Sequence, residues 1–165
     1  MERLGDLELE QDLPHQERMW RVQKVVWILL TLALVAGLVG LFGSGPLSAA
    51  KATGGGLDLD YQRFLRREAP TSLKVNVRGS PSEERILRLT LSREYLEGFM
   101  AEDILPQPLS TEAGARNYVF EFKLAEPGSP TTVCFHLKAK KTGLLDAEVA
   151  VEGHSPVAFR QFVYP

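Results

Sequence analysis

From Val25 to Phe42 the chain carries no charged residue, and Thr31 supplies the only hydroxyl side chain. A run of this length is too long for a buried strand and fits the thickness of a bilayer. Trp20 to Phe42 is 23 residues, about 34 Å of helix at roughly 1.5 Å per residue, against about 30 Å of hydrocarbon. The sequence therefore predicts one transmembrane helix within residues 18–42, ended by Gly43, Gly45 and Pro46, which cannot extend a helical hydrogen-bond ladder.

A cleavable secretion signal has a short basic head, a shorter apolar stretch and a small-residue cut site. Here the segment before Arg18 is long and mostly acidic. Ser48-Ala49-Ala50 resembles a cut site but lies six residues beyond Phe42. An uncleaved anchor is the expectation. Arg18, Arg21 and Lys24 flank the amino end of the span, and no cation follows it before Lys51. Because Lys and Arg beside a span stay in the cytoplasm, the amino tail is expected inside and residues 43–165 outside.

Within the span, Ala33, Ala36, Gly37, Gly40 and Ser44 recur at helical spacing and share one side. Small residues so aligned let a second helix approach closely in lipid, where dispersion contacts drive association. The expected partners are the lipid itself and, through this face, another integral membrane protein or a second copy of the chain.

Residues 1–17 are acidic with a few irregular leucines and are expected to form a disordered or marginally helical cytoplasmic tail. Residues 43–56, GSGPLSAAKATGGG, read by composition as a flexible linker. From Leu57 the apolar period changes to two. Leu57-Leu59-Tyr61, Leu73-Val75-Val77, Leu87-Leu89-Leu91, Tyr118-Phe120-Phe122-Leu124, Val133-Phe135-Leu137 and Leu145-Ala147-Val149-Val151 each alternate with mostly polar residues. A last run, VAFRQFVYP, closes the chain. Its Phe159, Phe162 and Tyr164 are expected mainly in the core. Ser92 is expected to cap a short helix through residue 99, with a strand to Ile104. Seven or eight short strands separated by turn residues predict an immunoglobulin-like antiparallel β-sandwich over residues 57–165.

The formal charge of −2 gives no basic surplus for nucleic acid. One cysteine excludes an intramolecular disulfide. The chain has no G-x-S-x-G, Walker loop, H-E-x-x-H or C-x-x-C, so neither an enzyme nor a resident cofactor is expected. One constellation carries potential chemistry. In TVCFHLKAKK, residues 132–141, alternation projects Cys134 and His136 from one face of a strand. A thiolate beside an imidazole could serve as a catalytic pair, though no third orienting residue or oxyanion pocket is visible, or as soft ligands, for which Cu(I) is the metal that such a pair would take. His154 reads as a solvated turn residue. Arg63, Arg66 and Arg67 form a basic group expected near lipid headgroups or in exposed salt pairs.

An inside tail, one span and an outer immunoglobulin-like domain together resemble the copper-delivery proteins of cytochrome oxidase assembly. That family carries Cys-Phe-Cys-Phe where this chain has Cys134-Phe135-His136-Leu137, so the second thiol is missing. The junction GLFGSGPLS (40–48), the segment YQRFLRREAPTSLKV (61–75) and the terminus FRQFVYP (159–165) resemble an uncharacterised family of small bacterial single-pass inner-membrane proteins. This resemblance implies the same topology and a β-rich outer domain, and it carries no catalytic motif. The expected role is a non-enzymatic accessory or scaffold protein that stabilises or positions a membrane complex. The alternative is copper binding or delivery through Cys134 and His136.

Overall fold

The computed structural model describes residues 13–38, 45, 47–78, 85–126 and 129–165. Helix α1 runs from Leu13 to Leu38 and contains an apolar stretch, Arg18–Leu38, long enough to cross a membrane and buried nowhere against the rest of the chain. It begins five residues before the boundary expected at Arg18. Pro14 sits in its first turn, where a backbone N–H would have no intrahelical acceptor. Thr31 satisfies its hydroxyl on the Trp27 carbonyl at 2.8 Å, and the Lys24 ammonium lies over the Trp20 ring. Ala33, Ala36 and Gly37 share one side of α1. Gly40 and Ser44 lie outside the described residues.

Among the described residues, eleven strands and one short helix follow. They are β1 (Ala49–Gly54), β2 (Leu57–Gln62), β3 (Phe64–Arg66), β4 (Pro70–Val77), β5 (Ile86–Ser92), α2 (Arg93–Glu97), β6 (Phe99–Leu105), β7 (Ser110–Ala113), β8 (Asn117–Lys123), β9 (Thr131–Ala139), β10 (Gly143–Val151) and β11 (Val157–Tyr164). They form an immunoglobulin-like sandwich of two sheets, ordered β1-β2-β4-β9-β6 and β3-β11-β10-β5-β8-β7. Alternate residues of most strands meet between the sheets. Leu59, Val75, Leu87, Leu89, Leu91, Phe122, Val133, Phe135, Leu137 and Val149 are fully inaccessible to water.

The segment expected as a flexible linker is in part a strand. Residues 49–54 are β1, paired along their whole length with β2 from Ala49↔Gln62 to Gly54↔Leu57. Gly55 and Gly56, both at positive φ (50° and 72°), make the two-residue turn of this hairpin. A side chain at Gly55 would place its Cβ 2.1 Å from the Ser155 carbonyl oxygen, so glycine is required twice over. Ser48-Ala49-Ala50, the stretch that resembles a cut site, forms the start of this strand, with Ser48 and Ala50 buried.

Eleven strands exceed the expected seven or eight because β1, β3 and β7 are short or lie in low-hydrophobicity sequence. The sandwich also departs from a purely antiparallel one, since β3 pairs in parallel with β11. The chain crosses between sheets at Arg63. Its amide donates to the Ser48 carbonyl and its carbonyl accepts from Phe162. Helix α2 ends at Glu97, two residues short of expectation. Ser92 occupies its N-cap position without a capping bond, and its Oγ instead accepts from the Glu148 amide at 3.3 Å. Tyr95 of α2 is buried, and its hydroxyl donates to Gln161 Oε1 of β11 at 2.6 Å. Gln161 Nε2 in turn donates to the Gln62 carbonyl of β2 at 2.7 Å. Two sheets and a helix are thereby tied by three residues around one buried amide.

The registers gather the connections at two ends. Gln62, Arg67–Ala69, Lys140–Thr142 and Tyr164 lie at the same end as Ser48, where the chain joins the sandwich. The Gly55–Gly56 turn and residues 152–156 lie at the other.

Candidate functional site

Cys134 and His136 stand side by side on the outer face of the first sheet, with Sγ and Nε2 3.6 Å apart and both side chains half-buried. Strand alternation puts them there because Val133, Phe135 and Leu137 take the core side of β9. Their register neighbours are Lys74 and Leu105 for Cys134, and Ser72 and Asp103 for His136. Asp103 directs Oδ1 to the Ile104 amide at 2.8 Å. Among the described residues, no three His, Cys, Asp or Glu side chains converge as a metal site would require. The pair thus offers two ligands on a sheet face that it shares with Ser72, Lys74, Asp103 and the exposed Leu105.

Charge pairs stand elsewhere on the two outer faces. Arg78 forks onto both oxygens of Asp58, at 2.7 and 2.6 Å, and this pairing holds the Asp58 carboxyl below the usual carboxylate range. On the opposite face of the sandwich Arg88 bridges Glu121 and Glu152. Its hydrogen bond, with a second from Ser110, lowers Glu121 likewise.

A cleft of about 520 Å³ opens between the sheets, where edge strands β6 and β7 leave the sandwich side uncovered. Phe99, Phe120 and Phe135 line its inner wall, and Leu96, Ile104 and Tyr118 contribute half-buried apolar surface. Edge strand β6 carries a register shift between Ala101 and Asp103 and exposes Glu102 and Asp103. A bulge and charges of this kind discourage an edge from adding another strand, while the apolar cleft beside it stays open.

At the end where the chain joins, the outer face of the second sheet carries an apolar row. Register aligns Phe64 of β3 with Phe162 of β11, and Phe162 with Leu144 of β10. Phe162 is 44% exposed and Leu144 54%. Phe159, by contrast, is buried and packs edge-on against Tyr95. The expected core thus claims Phe159 but not Phe162, and Tyr164 is half-buried on the outer face. Spacing carries the reason: residues three apart on a strand face opposite ways. The inward position between them falls to Gln161. Arg63, Arg66 and Arg67 are all exposed at this end. Arg67 approaches Glu68 at 3.8 Å, and neither Arg63 nor Arg66 has an ion-pair partner among the described residues.

His154, expected to be solvated, instead covers the first hairpin, its ring lying against Gly56. Its Nε2 is buried without a hydrogen-bond partner among the described residues.

No protein-family model and no curated protein matches the sequence. Among solved structures, the fold is similar to the cohesin module from Clostridium perfringens ATCC13124 family 33 glycoside hydrolase. That likeness has 11% identity and a TM-score of 0.45, over 67% of this chain and 97% of that one. A second likeness is to a β-glucosidase from Listeria innocua in complex with gluconolactone, at 13% identity and a TM-score of 0.35. It covers 75% of this chain and 17% of that one. Both concern the β-sandwich fold alone.

Proposed function

We propose that the chain is a single-pass, non-enzymatic accessory protein of a bacterial inner membrane. Its amino end is cytoplasmic, and its sandwich is held at the outer face to stabilise or position a membrane-protein complex. One observation carries the reading: an exposed apolar helix, Arg18–Leu38, precedes a sandwich that has a hydrophobic core of its own. The helix has no work to do inside this chain, so lipid and a neighbouring helix are its natural surroundings. The cations Arg18, Arg21 and Lys24 at its amino end favour the stated orientation. Ser48 and Ala50 are held in a strand start, which argues against cleavage there.

Two surfaces suit a partner. The small-residue side of α1, with Ala33, Ala36 and Gly37, would pack against a helix of the complex, and the same repeat continues in sequence to Gly40 and Ser44. The apolar cleft between β6 and β7 would receive an apolar segment of the partner's outer part. Copper carriage is the second reading, and the 3.6 Å approach of Cys134 to His136 is the observation that favours it.

Co-purification from native membranes in mild detergent tests the first reading. A stoichiometric polytopic partner that is lost on Ala36→Leu is the expected outcome. A lone protein released from membranes by alkaline carbonate would overturn it.

A further inference from the structure

We propose that the sandwich does not hang free of the bilayer but lies on it. Its contact is the end bearing Phe64, Phe162, Leu144 and the three arginines Arg63, Arg66 and Arg67, and its occupant is an anionic phospholipid surface. The inference rests on the membrane-anchored reading above and adds which part of the domain faces the lipid.

Three independent observations converge on this end. The first is the length of the tether. The amides of Ser48 and Ala49 both donate to the Gly45 carbonyl, at 2.9 and 3.1 Å, so the chain is already folded onto the sandwich at Gly45. Residues 39–44 are all that separate Gly45 from the last described residue of α1, Leu38. Seven Cα-to-Cα steps cannot reach beyond roughly 25 Å even when fully extended.

The second is where that tether is fastened. Ser48 Oγ donates to the Phe64 carbonyl at 3.0 Å, and Arg63 links the Ser48 carbonyl to the Phe162 amide through its own backbone. The apolar row and the arginines are therefore next to the point of attachment. The opposite end, with His154 and the Gly55–Gly56 turn, is a full strand length further away.

The third is chemical fit. Phe162 and Leu144 expose apolar surface across neighbouring strands, and Leu47, just before the attachment, is 49% exposed. Aromatic and aliphatic side chains ringed by arginine enter the region between headgroups and acyl chains, while the guanidinium groups meet phosphate. Lys140 and Lys141, in the turn between β9 and β10 at the same end, extend the positive field; Glu68 and Glu97 also lie at this end, and Asp146, two residues from Leu144 on the same outer face, is paired with Arg160. Lipid phosphate complements this charge better than an average protein surface does.

The test uses the full chain in the Cys134→Ser background, reconstituted into phosphatidylcholine vesicles with and without phosphatidylglycerol. A fluorophore is placed at Leu144→Cys or, as control, at Glu152→Cys of the distal turn. Headgroup-spin-labelled lipid then reports proximity by quenching, and flotation after carbonate treatment reports insertion of the span independently. The expected result is strong quenching at position 144 and little at 152, with phosphatidylglycerol required. Arg63→Gln/Arg66→Gln/Arg67→Gln should abolish the difference while flotation is unchanged. Equal quenching at the two positions, or quenching at 144 indifferent to lipid charge and to the arginines, would overturn the proposal. Quenching replaced by energy transfer between protomers that rises with protein-to-lipid ratio would assign the row to a second copy and overturn it too. Failure to float would instead sink the anchored reading itself.

Discussion

The Tyr95 hydroxyl and the Gln161 side chain meet at 2.6 Å in the interior, a polar contact in a space otherwise filled by leucine, valine and phenylalanine. Gln161 sits where the alternation of β11 calls for an apolar residue, and it is tolerated because both ends of its amide are satisfied. Tyr95→Phe leaves Gln161 Oε1 without its donor and should destabilise the sandwich by about 1–3 kcal/mol. Gln161→Leu alone strands the Tyr95 hydroxyl and the Gln62 carbonyl and should cost a similar amount. The double variant should cost less than the sum, because each single change already breaks the shared bond. Denaturant melts followed by far-ultraviolet circular dichroism measure all three.

Gly55→Ala should weaken the first hairpin more than Gly143→Ala weakens the start of β10. Both glycines have positive φ. At Gly55 the new Cβ would also collide with the Ser155 carbonyl, whereas nothing lies within 4 Å at Gly143. A loss of about 1–3 kcal/mol at Gly55 is expected from backbone strain of this kind. Hydrogen exchange of the β1 amides should rise in Gly55→Ala and stay near wild type in Gly143→Ala.

Acid and alkali should each weaken the fold through different groups. Arg78 lowers the Asp58 carboxyl and Arg88 lowers that of Glu121, so the stability that these pairs contribute is complete above the ordinary carboxylate range. It is lost as pH falls through the depressed values. The denaturation midpoint should therefore decline below about pH 4, less steeply in Arg88→Met. Burial pushes the Tyr95 hydroxyl up, so its contribution is complete below about pH 10 and declines above it, as the unfolded chain ionises first. Tyr95→Phe removes that alkaline component.

For Cys134 and His136, a competition titration against a Cu(I) chelator separates the two functional readings. If the chain is an accessory protein, wild type and Cys134→Ser should withdraw the same small amount of copper. Tight retention by wild type that Cys134→Ser abolishes would favour copper carriage.

The strong strands were legible because their alternation is unbroken: Leu73-Val75-Val77, Leu87-Leu89-Leu91 and Val133-Phe135-Leu137 all face the core as their spacing requires. β1 was not. AAKATG has small side chains that give almost no hydrophobic signal, and its place is fixed by backbone pairing with β2 and by Gly55. For Cys134 and His136 the shared outer face could be read directly, but their 3.6 Å contact and their cross-strand neighbours depend on tertiary register. The row Phe64–Phe162–Leu144 joins the hairpin of β10 and β11 to β3, far earlier in the sequence, and could not be read from any one of the three strands. One local sign was present, the odd spacing of Phe159 and Phe162, which cannot both face inward on a regular strand.

β1 is at once the first strand of the sandwich, an edge of its sheet and the element bonded nearest the helix. Any tension between anchor and body passes through it. A pull along its axis loads six residue pairs with β2 in shear, so they resist together instead of peeling one by one. The hairpin is thus the element through which a pull on α1 reaches the sandwich, and the pairing of β1 with β2 sets how much force the sandwich bears before it begins to open.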